Sequence, residues 1–362
     1  MNENESRTKI FVRGTGAVSP AGWGTKPLLD AIAAGVPLSI KEIPRPGTTT
    51  SLRVRQVPPP TPRPPWLTHA RLRRTSPITQ YAVSAALEAL GDDTANVTNG
   101  SLKLGVIVCV MSGCVNYSRR FYDETLRDPT TASPLVFPET VFNAPSSHIA
   151  ALLGTAAINY TLVGDPGTFL QGLALAADWL LRGEVNGCLV IGAEELDWLT
   201  SHAFRLFHRN IVLSDGAGAV YLKAVEGRES KVESKTLPGP QPSTLNPQPI
   251  LAAVTDSQLF TPSQPRATAV RRVREQLSFN GAETVLVDGL QNLPRYDEAE
   301  ALAWHDWPAW RISPKKILGE GLMAAAAWQT VLAIHALEKH SSALVSVVGT
   351  NQQAIGAAFQ PV

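Results

Sequence analysis

Seven consecutive residues, Leu104 to Val110, read LGVIVCV without a polar side chain. A strand with one face in water alternates apolar and polar residues, so an unbroken run must be covered on both faces. Cys188 to Ile191 repeats the pattern, and Gly216 to Leu222 adds a run of small and aliphatic residues. Between the runs lie segments with helical spacing: Pro77 to Leu90, Leu170 to Arg182, Pro265 to Leu277 and Gly321 to Leu337. Strands alternating with helices define an α/β protein whose mostly parallel sheet carries helices on its faces.

The remaining elements follow the same logic. A strand is expected at Ile10 to Val12, then a glycine-dense turn from Gly14 to Pro20 and a helix from Lys26 to Ala34. Ile43 to Trp66 is rich in proline, which removes backbone donors and fixes φ, so extended surface chain is expected there. A helix is expected over Val141 to Leu153, and strands at Ile158 to Val163, Ile250 to Thr255, Thr284 to Val287 and Ala343 to Val348. Residues 226–249 are charged, then proline-rich, and have almost no aliphatic periodicity. They read as a solvated linker between an N-terminal half, 1–225, and a shorter C-terminal half, 250–362.

Among 362 residues, 32 basic side chains face 31 acidic ones, for a net charge of +1. That balance gives no case for nucleic acid or an anionic membrane surface as a partner. The apolar run near Leu322 to Leu337 is broken by Gln329, Thr330 and His335, too short and polar for a membrane span. The opening MNENESRTKIFVRG has no secretion-signal pattern, and Cys109, Cys114 and Cys188 lack metal-ligand spacing. A cytoplasmic protein with no metal and no cofactor is the expectation.

Residues 160–184, YTLVGDPGTFLQGLALAADWLLRGE, read as strand, tight turn and amphipathic helix. That shape often holds a nucleophile against a helix N-terminus. Here the turn is Gly164-Asp165-Pro166-Gly167, with neither Ser nor Cys.

Several segments in order resemble the β-ketoacyl synthase family of the thiolase fold. Phe11 to Gly22 is similar to its opening strand and glycine turn, and Gln80 to Leu87 to its first long helix. Asn143 to Ala150 is similar to the segment before the nucleophile strand, Ala176-Ala177 through Gly183 to the nucleophile helix, and Val190 to Glu195 to the strand after it. Ser214 to Ala219 resembles the strand closing the first half, with weaker likeness at Asp297 to Ala301 and Gly349 to Asn351. The resemblance implies a thiolase-like fold, two similar α/β halves forming a layered α-β-α-β-α core.

That family uses one Cys and two His. Counting by the resemblance, the Cys position falls on Pro166 and the two His positions on Gly289 and Glu320. The nucleophile's own N–H is an oxyanion donor in the family, and proline has none. The Gly-Phe-Gly-Gly stretch reads Ser346-Val347-Val348-Gly349. The resemblance therefore implies a degenerate ketosynthase like the chain-length-factor subunits of type II polyketide and aryl-polyene systems, although those typically hold Gln where Pro166 stands. Its partners would be an active ketosynthase in a heterodimer, and an acyl carrier protein.

Tyr117, Phe121, Tyr122, Phe137, Phe142 and Phe169 are candidates for the acyl tunnel or the interface, and Arg119 and Arg120 for carrier-protein contact. Two other readings stand beside this one. The first is an acyl-thioester enzyme with relocated chemistry on Glu320, His148 or Cys114; a carboxylate at 320 could titrate near neutrality if buried. The second is a homodimeric acyl-binding scaffold. Glu194-Glu195 could form an acid/base pair or serve structure alone.

Overall fold

The computed structural model describes residues 8–225, 245, 248–277, 281 and 283–362, so most of the expected linker lies outside the described residues. The apolar runs become neighbouring strands. From one edge, the first half runs Asn159–Val163, Leu104–Val110, Gly187–Glu194, Gly216–Val225, Lys9–Ser19. The second half runs Arg311–Ile312, Thr284–Val287, Ser342–Val348, Gln353–Pro361, Pro249–Val254. Numbered within its own half, each set has the order 3-2-4-5-1, with strand 5 antiparallel to both neighbours and the other pairs parallel. The two sets, here called the first and second sheets, join into one continuous sheet where Phe11 pairs antiparallel with Ile250.

Two helices fill the space between the sheets: Thr168–Leu181, here called the elbow helix, and Met323–Ala336, the core helix. The core helix packs on Gly187–Glu194 and Gly216–Val225 of one sheet and on Thr284–Val287 and Ser342–Val348 of the other. Every residue from Met323 to Ile334 is buried, which explains why this helix has no polar stripe. Pro77–Leu90 covers the outer face of the first sheet and Arg266–Gln276 that of the second. The result is a layered α-β-α-β-α core with two similar halves. Trp328 pins the core helix to the first sheet, its indole N–H shared between the carbonyls of Val18 (3.1 Å) and Ala217 (2.9 Å).

The glycine-dense segment at 14–20 is not a turn. The strand continues to Ser19, and its glycines serve close packing instead. A Cβ on Gly14 would stand 2.1 Å from the Ala89 carbonyl oxygen, and one on Gly16 2.0 Å from that of Ala85. The helix Pro77–Leu90 thus lies directly on the strand backbone. The proline-rich segment is also more structured than expected. Lys41–Pro44 and Ser51–Arg55 pair with each other, and Leu213–Ser214 adds a third strand, burying Leu52 and Val54. Further helices include Thr25–Ala34, Val115–Arg127, Ala144–Leu153, Trp198–Phe207 and Pro294–Ala303. Among the described residues, no helix is long and apolar enough to cross a membrane.

Because the obstacle at Gly16 is helix backbone rather than a movable side chain, Gly16→Ala is expected to lower unfolding stability by about 1–3 kcal/mol. Urea denaturation would measure the loss.

Candidate functional site

The strand Asn159–Val163 delivers the chain to the elbow, and the elbow helix leaves it. Asp165, Pro166 and Gly167 are all buried. The carbonyls of Asp165 and Pro166 accept from the amides of Thr168 (2.8 Å) and Phe169 (3.2 Å), opening the first helical turn. Pro166 has no N–H to offer the space in front of it.

The Asp165 side chain instead reaches the hairpin between Ser342–Val348 and Gln353–Pro361. Its Oδ1 accepts from the Thr350 amide (2.8 Å) and hydroxyl (2.6 Å), and its Oδ2 from the amides of Gln352 (3.2 Å) and Gln353 (3.3 Å). Gly349 makes room, since a Cβ there would fall 1.5 Å from Oδ2. Arg266 holds the same hairpin from the other side, donating to the carbonyls of Gly349 (2.6 Å) and Thr350 (3.0 Å). Its guanidinium stacks on the rings of Phe260 and Tyr296, 5.2 and 5.0 Å from the centroids. Ser346, Val347 and Val348 pair with Gly356, Ile355 and Ala354, and the Gly349 amide donates to the Gln353 carbonyl (2.8 Å). The stretch is thus occupied by its own hairpin.

Gly289 and Glu320 meet at a buried lysine. The Lys315 ammonium lies 2.8 Å from Glu320 Oε2, and a Cβ on Gly289 would be 3.5 Å from the same nitrogen. Glu320 also accepts from Gln291 Nε2 (3.1 Å) and the Leu322 amide (2.9 Å), so its carboxylate is held from three sides. Beside it, burial and the neighbouring Asp288 push Glu300 up; it accepts from the Ser346 hydroxyl (2.6 Å) and the Gly289 amide (3.1 Å). Tyr296 feels both Glu320 and Asp165, and burial first, then these charges, raise its hydroxyl well above the ordinary range. Gly289 and Glu320 therefore share one polar interior around Lys315, and Tyr296 lies close enough to feel the charges of both Glu320 and Asp165. A cavity of about 270 Å³ opens nearby, lined by Met111, Phe204, Phe207, His208, Tyr296 and Asn351, with Thr350 at its edge.

The other candidates lie elsewhere. His148 pairs with Glu139 (2.8 Å) on the helix Ala144–Leu153. Burial and then the neighbouring Glu195, Glu139 and Glu194 push the Cys114 thiol up, away from a reactive thiolate. Arg119 donates to both oxygens of buried Asp197 (3.0 and 3.1 Å), and Arg120 pairs with Glu124 (2.9 Å). Tyr122, Phe137 and Phe142 are exposed, Tyr117 and Phe121 half-buried, and Phe169 sits in the core. The Phe121 and Phe137 rings meet at 5.4 Å.

Glu194 and Glu195 tie loops to the sheet. Glu194 accepts from the amides of Met111 (2.5 Å) and Ser112 (3.1 Å), and Glu195 from the Ser76 hydroxyl (2.5 Å) and the amides of Ile78 (3.0 Å) and Asn116 (2.7 Å). Burial outweighs these donors and raises Glu194 to about 8.

Sequence reasoning missed Asp165 and Arg266 as a pair. Neither carries a local signal, because their shared target lies on a hairpin far along the chain.

Comparison with known proteins places the chain in a family. Residues 7–227 match the family profile described as Beta-ketoacyl synthase, N-terminal domain. The chain belongs to the β-ketoacyl synthase family. No curated protein matches the sequence. Among solved structures, it is similar to the ishigamide ketosynthase/chain length factor, with TM-score 0.76 and 19% identity over 98% of this chain and 99% of that one. A beta-ketoacyl synthase from Burkholderia phymatum STM815 gives TM-score 0.78 and 16% identity over 98% and 100% of the two chains. A type II PKS acyl-carrier protein in complex with its ketosynthase gives 0.75 and 15% over 98% and 100%. These matches confirm the thiolase-like ketosynthase fold.

Replacing Asp165 by Asn keeps the shape but points an amide donor at backbone donors. Asp165→Asn is expected to cost about 1–3 kcal/mol and to speed hydrogen exchange at Thr350, Gln352 and Gln353 selectively. Mass-resolved exchange would read it.

Glu194 sets a pH dependence. The native state holds its proton more tightly than the unfolded chain, so this stabilisation is full below the ordinary value of 4.5 and is lost as pH rises through about 8. The melting temperature is expected to fall across that window, and Glu194→Gln to flatten the fall, as followed by calorimetry.

Proposed function

We propose that this chain is a catalytically degenerate ketosynthase that acts as the chain-length-factor-type partner of an active ketosynthase in polyketide or fatty-acid-like biosynthesis in the cytoplasm. The observation that carries the reading is the elbow. Pro166 supplies neither nucleophile nor oxyanion donor, and Asp165 spends its carboxylate on the opposing hairpin. With Gly289 and Glu320 at the histidine positions, no acyl-enzyme chemistry of the family's kind remains. In this reading the two halves, 1–225 and 250–362, are retained for the surface they build.

That surface has the character of an interface. Eight of the eighteen large apolar side chains exposed among the described residues fall between Tyr122 and Val163. Tyr160 and Val163, each 52% exposed, stand on a strand that among the described residues pairs on one side only, with Leu104–Val110. An unpaired apolar sheet edge is a template for another chain, and aromatic enrichment is typical of interface cores. Tyr117, Phe121, Tyr122, Phe137 and Phe142 would then help form the wall of the partner's acyl tunnel. The solved ketosynthase/chain length factor and carrier-protein complexes similar in fold support a ketosynthase and an acyl carrier protein as partners.

Relocated chemistry finds less support, because Glu320 is held by Lys315, Gln291 and Leu322, and His148 by Glu139. Co-expression with a Cys-His-His ketosynthase encoded nearby should yield a heterodimer by native mass. Tyr160→Asp with Val163→Asp should weaken it about tenfold or more. A homodimer that forms regardless of the ketosynthase would overturn the reading. Thioester turnover by the isolated chain, abolished in Glu320→Gln, would establish the enzymatic alternative.

A further inference from the structure

A second cavity of about 270 Å³ lies on the other side of the helix Trp198–Phe207 from the apolar one. Ala203, Phe204 and Phe207 line the first; Ser201 and Arg205, four residues apart and on one helical face, line the second. Arg53, from the strand Ser51–Arg55, and Arg209, just beyond the helix, complete a cleft lined by three arginines. Asn210 and Ser51 add polar atoms, and Leu52 and Leu213 lie among the apolar ones.

These arginines stand apart from those that pair along a helix. Arg119, Arg120 and Arg182 each pair with a carboxylate four residues away within or at the end of a helix. Among the described residues, Arg53, Arg205 and Arg209 have no carboxylate within ion-pair distance. Arg205 is oriented by its bond to the Ser51 carbonyl (2.9 Å). The one acidic side chain lining the cleft, Glu42, accepts from the Ser51 hydroxyl (2.6 Å). Residues 41–74 contain eight lysines and arginines against Glu42 alone, in a chain whose total charge is +1.

Like charges gathered in one concave site raise each other's free energy unless an anion joins them. We infer that this cleft is an anion-binding site for a phosphate group. Three guanidiniums and one carboxylate leave two positive charges, which a phosphate dianion balances and a single carboxylate does not. Planar guanidinium forks match phosphate oxygens bidentately. The volume lies just below the range of about 300–1,000 Å³ for sites that enclose drug-sized ligands, which selects a compact group. The site is separate from the elbow and requires no catalysis there.

Titration calorimetry at constant ionic strength would test it with inorganic phosphate, pyrophosphate, glycerol phosphate and acetate. Phosphate-bearing probes should bind at least tenfold more tightly than acetate. Arg53→Gln and Arg209→Gln, at exposed positions with no hydrogen bonds to lose among the described residues, should each weaken binding about tenfold with an unchanged melting temperature. Glu42→Gln should tighten it about threefold. Glycerol phosphate binding well above inorganic phosphate would identify an ester as the source, and parity would identify the free ion; both support the site. Acetate matching phosphate, or binding untouched by either arginine substitution, would overturn it.

Discussion

Burial of the core helix between two sheets is the constraint on which the remainder of the fold rests. Each sheet must present a covered inner face, and the helix must tolerate close contact on two sides. MAAAAWQTVLAIHA meets both demands with a run of alanines and one large anchor, Trp328, whose single polar atom is spent on the Val18 and Ala217 carbonyls. A polar stripe would have no water to face, and larger side chains would force the sheets apart. The same economy appears on the outer face, where Gly14 and Gly16 let Pro77–Leu90 rest on strand backbone.

The elbow inherits its position from that packing. The elbow helix lies in the same central layer, so its N-terminus is brought to the hairpin of the second half. Asp165 converts this proximity into a bond network of four donors, and Arg266 closes it from behind. A buried carboxylate surrounded by amides and a hydroxyl is satisfied. These charge-assisted bonds hold two halves of the protein together.

Much of this was legible locally. Unbroken apolar runs mark strands with two covered faces, and Leu104–Val110 and Thr284–Val287 stand where they were expected. The glycines at 14 and 16 misled, because a glycine needed for close helix approach carries the same letter as one needed for a turn. The helix Val115–Arg127 has no buried residue, so its apolar spacing marks a surface face and not a core one. The strand Gln353–Pro361 begins and ends in polar residues that blur its apolar centre.

What the chain alone determined is the set of covered strands and helices and their order in two halves. These follow from composition and spacing within a few residues. The tertiary structure decided which distant groups share a site: Asp165 with Thr350 to Gln353, Glu320 with Lys315 and Gln291, and the arginines at 53, 205 and 209 in one cleft. Charge pairing and cavity shape depend on how sheets and helices pack, and no local pattern encodes a contact between residues separated by most of a domain.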